Sequence, residues 1–216
     1  MIDDFSDEQF ANYKIYLSLI EEKMLNKYFE EQKPYIFCKE GCSHCCEKGQ
    51  YPMSKIELAY ILLGFSQLST EQKTEILEKI KRLKQEKINF ESENPNSVEG
   101  FMYECPFLEN HKCSVYEYRA VICRTHGLMF FIEDDKTNDP KNKIPFCVNL
   151  GLNYSNIYDK ETKTLSDVKM YELGIEQEPL AYNLSLKTLL NNEIAKNLGF
   201  EFGEVKTMID WFPDKN

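Results

Sequence analysis

Four thiols fall within nine residues in Cys38-Lys-Glu-Gly-Cys42-Ser-His-Cys45-Cys46. Three more follow at Cys105, Cys113 and Cys123, and Cys147 stands apart. Intervals of two or three residues let successive thiolates turn onto one ion or cluster, and Gly41 permits the tight backbone this needs. Thiols so crowded predict metal ligands rather than a disulfide scaffold. All eight cysteines are therefore candidate metal ligands, with Cys38, Cys42 and Cys45 as the core of the set.

Cys45 and Cys46 require separate treatment. Neighbouring side chains diverge by about 100° on a helix and about 180° on a strand, so both seldom reach one small ion. Cys45 is the favoured ligand because Cys42-x-x-Cys45 is the best-formed hook, and Cys46 serves a second site or is buried. The fourth ligand comes from Cys113, Cys123 or Cys105. Zinc usually takes two short hooks, whereas the second block has intervals of seven and nine residues. That pattern favours an iron–sulfur cluster, 4Fe–4S in type, with zinc as the rival metal. His44, His111 and His126 could complete a mixed site, but a histidine beside cysteines is more often a hydrogen-bonding neighbour than a ligand. Arg124 could donate to cluster sulfur, or could form a surface ion pair.

At these residues the chain resembles the YkgJ-like cysteine-cluster family of zinc- or iron-chelating proteins. Its pattern is C-x3-C-x2-C-C, then C-P-F-L, a further cysteine, I/V-Y-x-x-R-P and C-R. Cys38, Cys42, Cys45 and Cys46 match the first part. Cys105-Pro106-Phe107-Leu108, Cys113, Val115-Tyr116, Arg119 and Cys123-Arg124 match the second, with Ala120 in place of the proline. One branch is similar to flagellin lysine N-methylase. That resemblance implies an S-adenosylmethionine-dependent, cluster-linked enzyme with a protein substrate or partner. The C-x3-C-x2-C subset also resembles the radical S-adenosylmethionine motif, although the strand–helix repeat of such a barrel is absent from the sequence.

The elements that must position these thiols are mostly helical. Ser6 opens a capping box with Gln9, and Phe10, Tyr13, Leu17, Ile20, Met24 and Tyr28 recur every three or four residues. This predicts a long amphipathic helix over 7–33, ended by Pro34. Ser54 with Glu57 and Ser69 with Gln72 cap two more helices. In the second of these, Ile76, Leu77, Ile80 and Leu83 are expected to face inward. Asn94-Pro95-Asn96 marks a loop, Leu128–Ile132 is a strand candidate, and the polar run 133–143 is expected to be an exposed loop. Pro179 opens a last helix over 180–198, with Gly199 as its stop. The fold class expected is a mostly α single domain over 1–216, built around a small irregular cysteine-rich metal centre (38–124) with minor β.

Composition narrows the function classes. A 42% hydrophobic content suffices for a core, so metal is not needed merely to rescue a chain too small to fold. With 36 acidic against 26 basic residues the net charge is −10, which argues against nucleic acid as a partner. The start MIDDFSDEQF carries acids where a signal peptide needs bases. Apolar runs fall far short of the ~20 residues of a bilayer span. A cytoplasmic protein without a membrane partner is expected, in a compartment where clustered thiols bind metal.

Overall fold

The computed structural model describes residues 4–39, 41–95, 100–132, 141–190 and 192–212. Helix α1 (Asp7–Ile20) runs through a five-residue π segment, Glu21–Leu25, into α2 (Asn26–Glu31). Then come α3 (His44–Glu47), β1 (Pro52–Ser54), α4 (Lys55–Ser66), α5 (Thr70–Glu93), β2 (Leu108–Glu109), β3 (Lys112–Cys113) and α6 (Val121–Thr125). The remainder is β4 (Phe130–Ile132), β5 (Lys141–Lys143), β6 (Tyr158–Asp159), β7 (Thr164–Leu165), α7 (Asp167–Glu172), α8 (Leu186–Leu190), α9 (Glu193–Asn197) and β8 (Val205–Thr207). The fold is mostly α with small antiparallel strand pairs. Among the described residues no helix is long and apolar enough to cross a membrane.

Contacts gather the chain into two compact units. Unit one is 1–14, 41–124 and 199–216; unit two is 15–40 and 125–198. The boundary cuts the first cysteine block between Glu40 and Gly41.

In unit one, α4 and α5 carry the core. Both start in complete capping boxes, Ser54 with Glu57 and Ser69 with Gln72. Ile76, Ile80 and Leu83 of α5 are buried beside Leu58, Ile61 and Phe107. Leu77, expected to face inward, is 47% exposed, because 76, 80 and 83 already define one helical face and 77 lies about 100° away from it. The helix ends just before the Asn94-Pro95-Asn96 loop signal, of which Asn96 lies outside the described residues. Across the unit, β1 pairs with β8, Met53 opposite Lys206. The indole N–H of Trp211 then donates to the Met53 carbonyl at 3.0 Å.

In unit two, Tyr16, Leu17, Ile20 and Leu25 are buried along the first helix. The π segment inserts one residue into the 3.6-residue repeat. The buried position therefore passes from Ile20 to Leu25, and Met24 is only half-buried. Tyr154, Ile157, Val148, Met129 and Tyr35 form a second core. The expected strand appears as β4, but its partner is β5, which occupies 141–143 of the run predicted to be all loop; 133–140 lie outside the described residues. The helix predicted over 180–198 is instead two short helices. Asn192 N-caps the second by accepting from Ala195 N–H at 3.1 Å, and Tyr182 is drawn off into a bridge with Phe130. Gly199, with φ +69°, ends it as expected.

Candidate metal centre

Gly41 adopts φ +85°, a conformation nearly closed to other residues, and turns the chain into the first thiol segment. Ser43 starts α3, its carbonyl accepting from Cys46 and Glu47 N–H. This single turn carries Cys45 and Cys46 side by side. Tyr51 folds back in the left-handed region, φ +49°. Its hydroxyl donates to the carbonyls of Cys45 and Cys46 at 3.3 and 2.8 Å, satisfying the orphan end of the turn.

The second block is joined to the first through the backbone. Cys105 N–H donates to the Cys46 carbonyl at 2.8 Å, and Gly49 and Tyr103 exchange two bonds of 2.9 Å. Beyond Cys105, β2 and β3 form a hairpin whose two-residue turn, Asn110-His111, has φ +48° and +61°. Two left-handed residues match the twist of the flanking strands, and the hairpin places Cys113 opposite Leu108. The 3₁₀ turn Tyr116–Tyr118 is then docked on α4. The ring of Tyr118 lies where a Cβ on Gly64 would be, 2.5 Å away, and its hydroxyl accepts from Gln67 at 2.7 Å. α6 follows and carries Cys123.

The outcome is a group of five thiols in unit one, Cys45, Cys46, Cys105, Cys113 and Cys123, each within electrostatic reach of others in the group. Cys105 belongs to the hydrophobic core, and Cys46, Cys113 and Cys123 pack against it. Burial pushes the Cys105 and Cys113 thiols up and raises Cys123 to about 12, because low-polarity surroundings disfavour a bare thiolate. Cys46 donates to the Cys45 sulfur, which holds the Cys45 thiol down and drives the Cys46 thiol up.

Three features counter the burial. Phe107 N–H donates to the Cys105 sulfur and Val115 N–H to the Cys113 sulfur. The Arg119 guanidinium lowers Cys45, Cys113 and Cys123. Arg119 stands 3.4 Å over the Tyr116 ring and donates to the Tyr116 carbonyl. Arg124, the expected sulfur donor, directs Nε and Nη2 to the carbonyls of Arg119 and Glu117. It braces the loop that holds the cation.

The histidines of unit one are bound to oxygen. His44 Nδ1 lies 2.8 Å from Glu47, and Ser43 Oγ lies 2.8 Å from Glu47 and 3.1 Å from His111 Nδ1. His126 is exposed in unit two. Cys42 sits half-buried on the turn before α3.

Residues 37–147 match the family model CxxCxxCC, described as a candidate zinc- or iron-chelating domain. The match covers just over half of the 216 residues. The chain belongs to this cysteine-cluster family. No curated protein and no solved structure matches it.

The chelating domain's two outermost cysteines lie in unit two. Cys38 is exposed and Cys147 is 7% exposed. Asn153, itself fully buried, accepts from Phe37 and Cys38 N–H at 2.8 and 2.9 Å and donates to the Gly127 carbonyl. Gly127 has φ +98°, and a Cβ there would lie 2.7 Å from Asn153 Nδ2 and 3.6 Å from the Cys38 sulfur. Both thiols act on the buried Tyr154 hydroxyl, which burial raises to about 12. Nothing in the sequence pointed to Tyr51, Asn153 or Tyr154. An isolated aromatic or amide in a loop carries no periodic signal.

The side chains of unit one fit a thiolate-bound metal by donor type. Unit one offers soft sulfur, backbone N–H groups aimed at two of the sulfurs and the Arg119 guanidinium, the surroundings that stabilise thiolate ligation. Among the described residues no three His, Cys, Asp or Glu side chains form a set that could close on one metal ion.

Proposed function

We propose that unit one of this chelating domain holds an iron–sulfur cluster on Cys45, Cys105, Cys113 and Cys123, with Cys42 and Cys46 flanking it. The observation that carries the reading is an all-sulfur group of five thiols, each acting on at least one other of the group, joined by the Cys46–Cys105 backbone bond. Thiolates around one zinc ion would stand about 3.8 Å apart, given Zn–S near 2.3 Å. A cluster presents several irons and accepts thiolates at wider spacing. When bound, the cluster supplies electron-transfer or Lewis-acid chemistry. The chain's own part is to bury the ligands, aim amides at sulfur and offset charge through Arg119.

Purification without oxygen tests this. The protein should be brown and carry iron with acid-labile sulfide. Colourless protein with stoichiometric zinc would replace the cluster by zinc on the same thiols.

A further inference from the structure

Glu57 is 0% exposed and is not one of the metal centre's ligands. It occupies the third residue of α4, where a capping-box side chain reaches back to the helix start. The other two boxes of the chain, Ser6–Gln9 and Ser69–Gln72, do this with a glutamine near the surface. A glutamine would cap α4 equally well, and a buried carboxylate costs several kcal/mol more in desolvation. Something beyond capping must use the second oxygen.

Its partners show what that is. Oε2 accepts from Ser54 N–H and Ser54 O–H, both at 2.7 Å. Oε1 accepts from Val121 N–H at 3.0 Å, and the Tyr13 hydroxyl donates to it at 3.5 Å. Four donors converge on two oxygens, and only a carboxylate accepts at both ends. Val121 is the first residue of α6, so one side chain fixes the start of α4 and the start of α6 together. Cys123 lies two residues further along α6, its N–H held by the Ala120 carbonyl at 3.1 Å.

We propose that Glu57 is a positioning residue for the metal centre, a buried carboxylate that sets the placement of α6 and thereby aims Cys123 at the other thiols. The role is geometric. Burial pushes the Glu57 carboxyl above its usual range, and in its charged form it pushes the Cys123 thiol up, so in neither form does it activate the ligand electrostatically. Mutating a group hydrogen-bonded directly to a ligand typically costs 10–100-fold in metal affinity, and Glu57, acting one step removed through the α6 backbone, is expected at the low end of that range. The inference rests on the proposed metal site of unit one.

The test compares metal retention in anaerobically purified, folded protein dialysed against a chelator, with iron and zinc counted per chain. Glu57→Gln places amide hydrogens against the Ser54 or the Val121 donor. It should lose metal at least tenfold faster than the wild type while keeping its helical circular dichroism. Ser69→Ala is the control, since it removes an equivalent cap from α5 without touching α6; it should lower stability and leave retention unchanged. Val121→Pro removes the backbone donor to Oε1 and leaves those of Ser54 and Tyr13 in place, at a first-turn position that tolerates proline. It should reproduce the loss, and its retention decides the question if Glu57→Gln does not fold. Wild-type retention in both α6-directed variants, or equal loss in Ser69→Ala, would overturn the inference. A wild type that holds no metal would overturn the metal site itself, and this inference with it.

Discussion

The two units treat their thiols in opposite ways. In unit one the backbone is irregular for the sake of the sulfurs: a single helical turn, a tight hairpin and a short helix each present one or two cysteines. The Cys46–Cys105 bond ties these pieces together. In unit two the sulfurs are incidental to a backbone junction. Asn153 gathers the strands of chain at Phe37, Cys38 and Gly127, and the two thiols lie around the Tyr154 hydroxyl it adjoins. Eight cysteines of one family pattern thus have two structural settings, one built on side-chain convergence and one on main-chain satisfaction.

Removing thiols should separate the settings most strongly. Cys123→Ser is expected to bring metal below a tenth of the wild-type content, because a lost ligand undoes a site that folding alone does not close. Cys147→Ser should retain more than half. Elemental analysis of the two proteins checks this, and equal loss in both would erase the distinction between the units.

Stability should respond the other way round. Asn153→Ala removes the acceptor of the residue 37 and 38 N–H groups and the donor to the buried Gly127 carbonyl, and should cost about 1–3 kcal/mol in urea unfolding without lowering the metal bound per folded chain. In unit one, Gly64→Ala drives a methyl into the Tyr118 ring. It should cost about 1–3 kcal/mol and, by shifting the turn before Arg119, weaken metal retention as well. Metal loss in the first variant but not the second would reverse the assignment.

Acidity gives a further contrast. The unit-one thiols must surrender protons to bind metal, so affinity should rise with pH between 6 and 8, about tenfold per pH unit for each proton released. In unit two, Tyr154 keeps its proton to about 12 when folded, against 10.0 as the ordinary value. The unfolded chain ionises first, so this contribution is fully present below pH 10 and is lost as pH rises towards 12. Equilibrium unfolding of Tyr154→Phe should show a shallower decline over that interval.

The smallest effect is expected on α5. Leu77→Ala, at a 47% exposed site, should change stability by less than about 0.5 kcal/mol. Ile80→Ala, one turn along and buried, should cost about 2–5 kcal/mol.

What the sequence by itself determined is what local interactions control. The three capping boxes, the stop at Gly199, the helix ended before Pro34 and the clustering of Cys38 to Cys46 each depend on residues a few positions apart, where side chain and backbone meet whatever the rest of the chain does. The same holds for the mostly α class, which follows from period and caps. Tertiary structure alone decided the rest. It moved the buried position from Met24 to Leu25 through a π segment, paired 141–143 with β4, and broke 180–198 at Asn192, because backbone groups far apart in sequence found better partners there. It assigned Cys38 and Cys147 to one unit and the remaining thiols to another, although four of the eight are neighbours in the chain. It also gave Glu57 a second helix to hold. A capping glutamate reads the same in sequence whether its free oxygen faces water or a backbone N–H sixty-four residues away, and only the packing of α4 against the turn before α6 settles which.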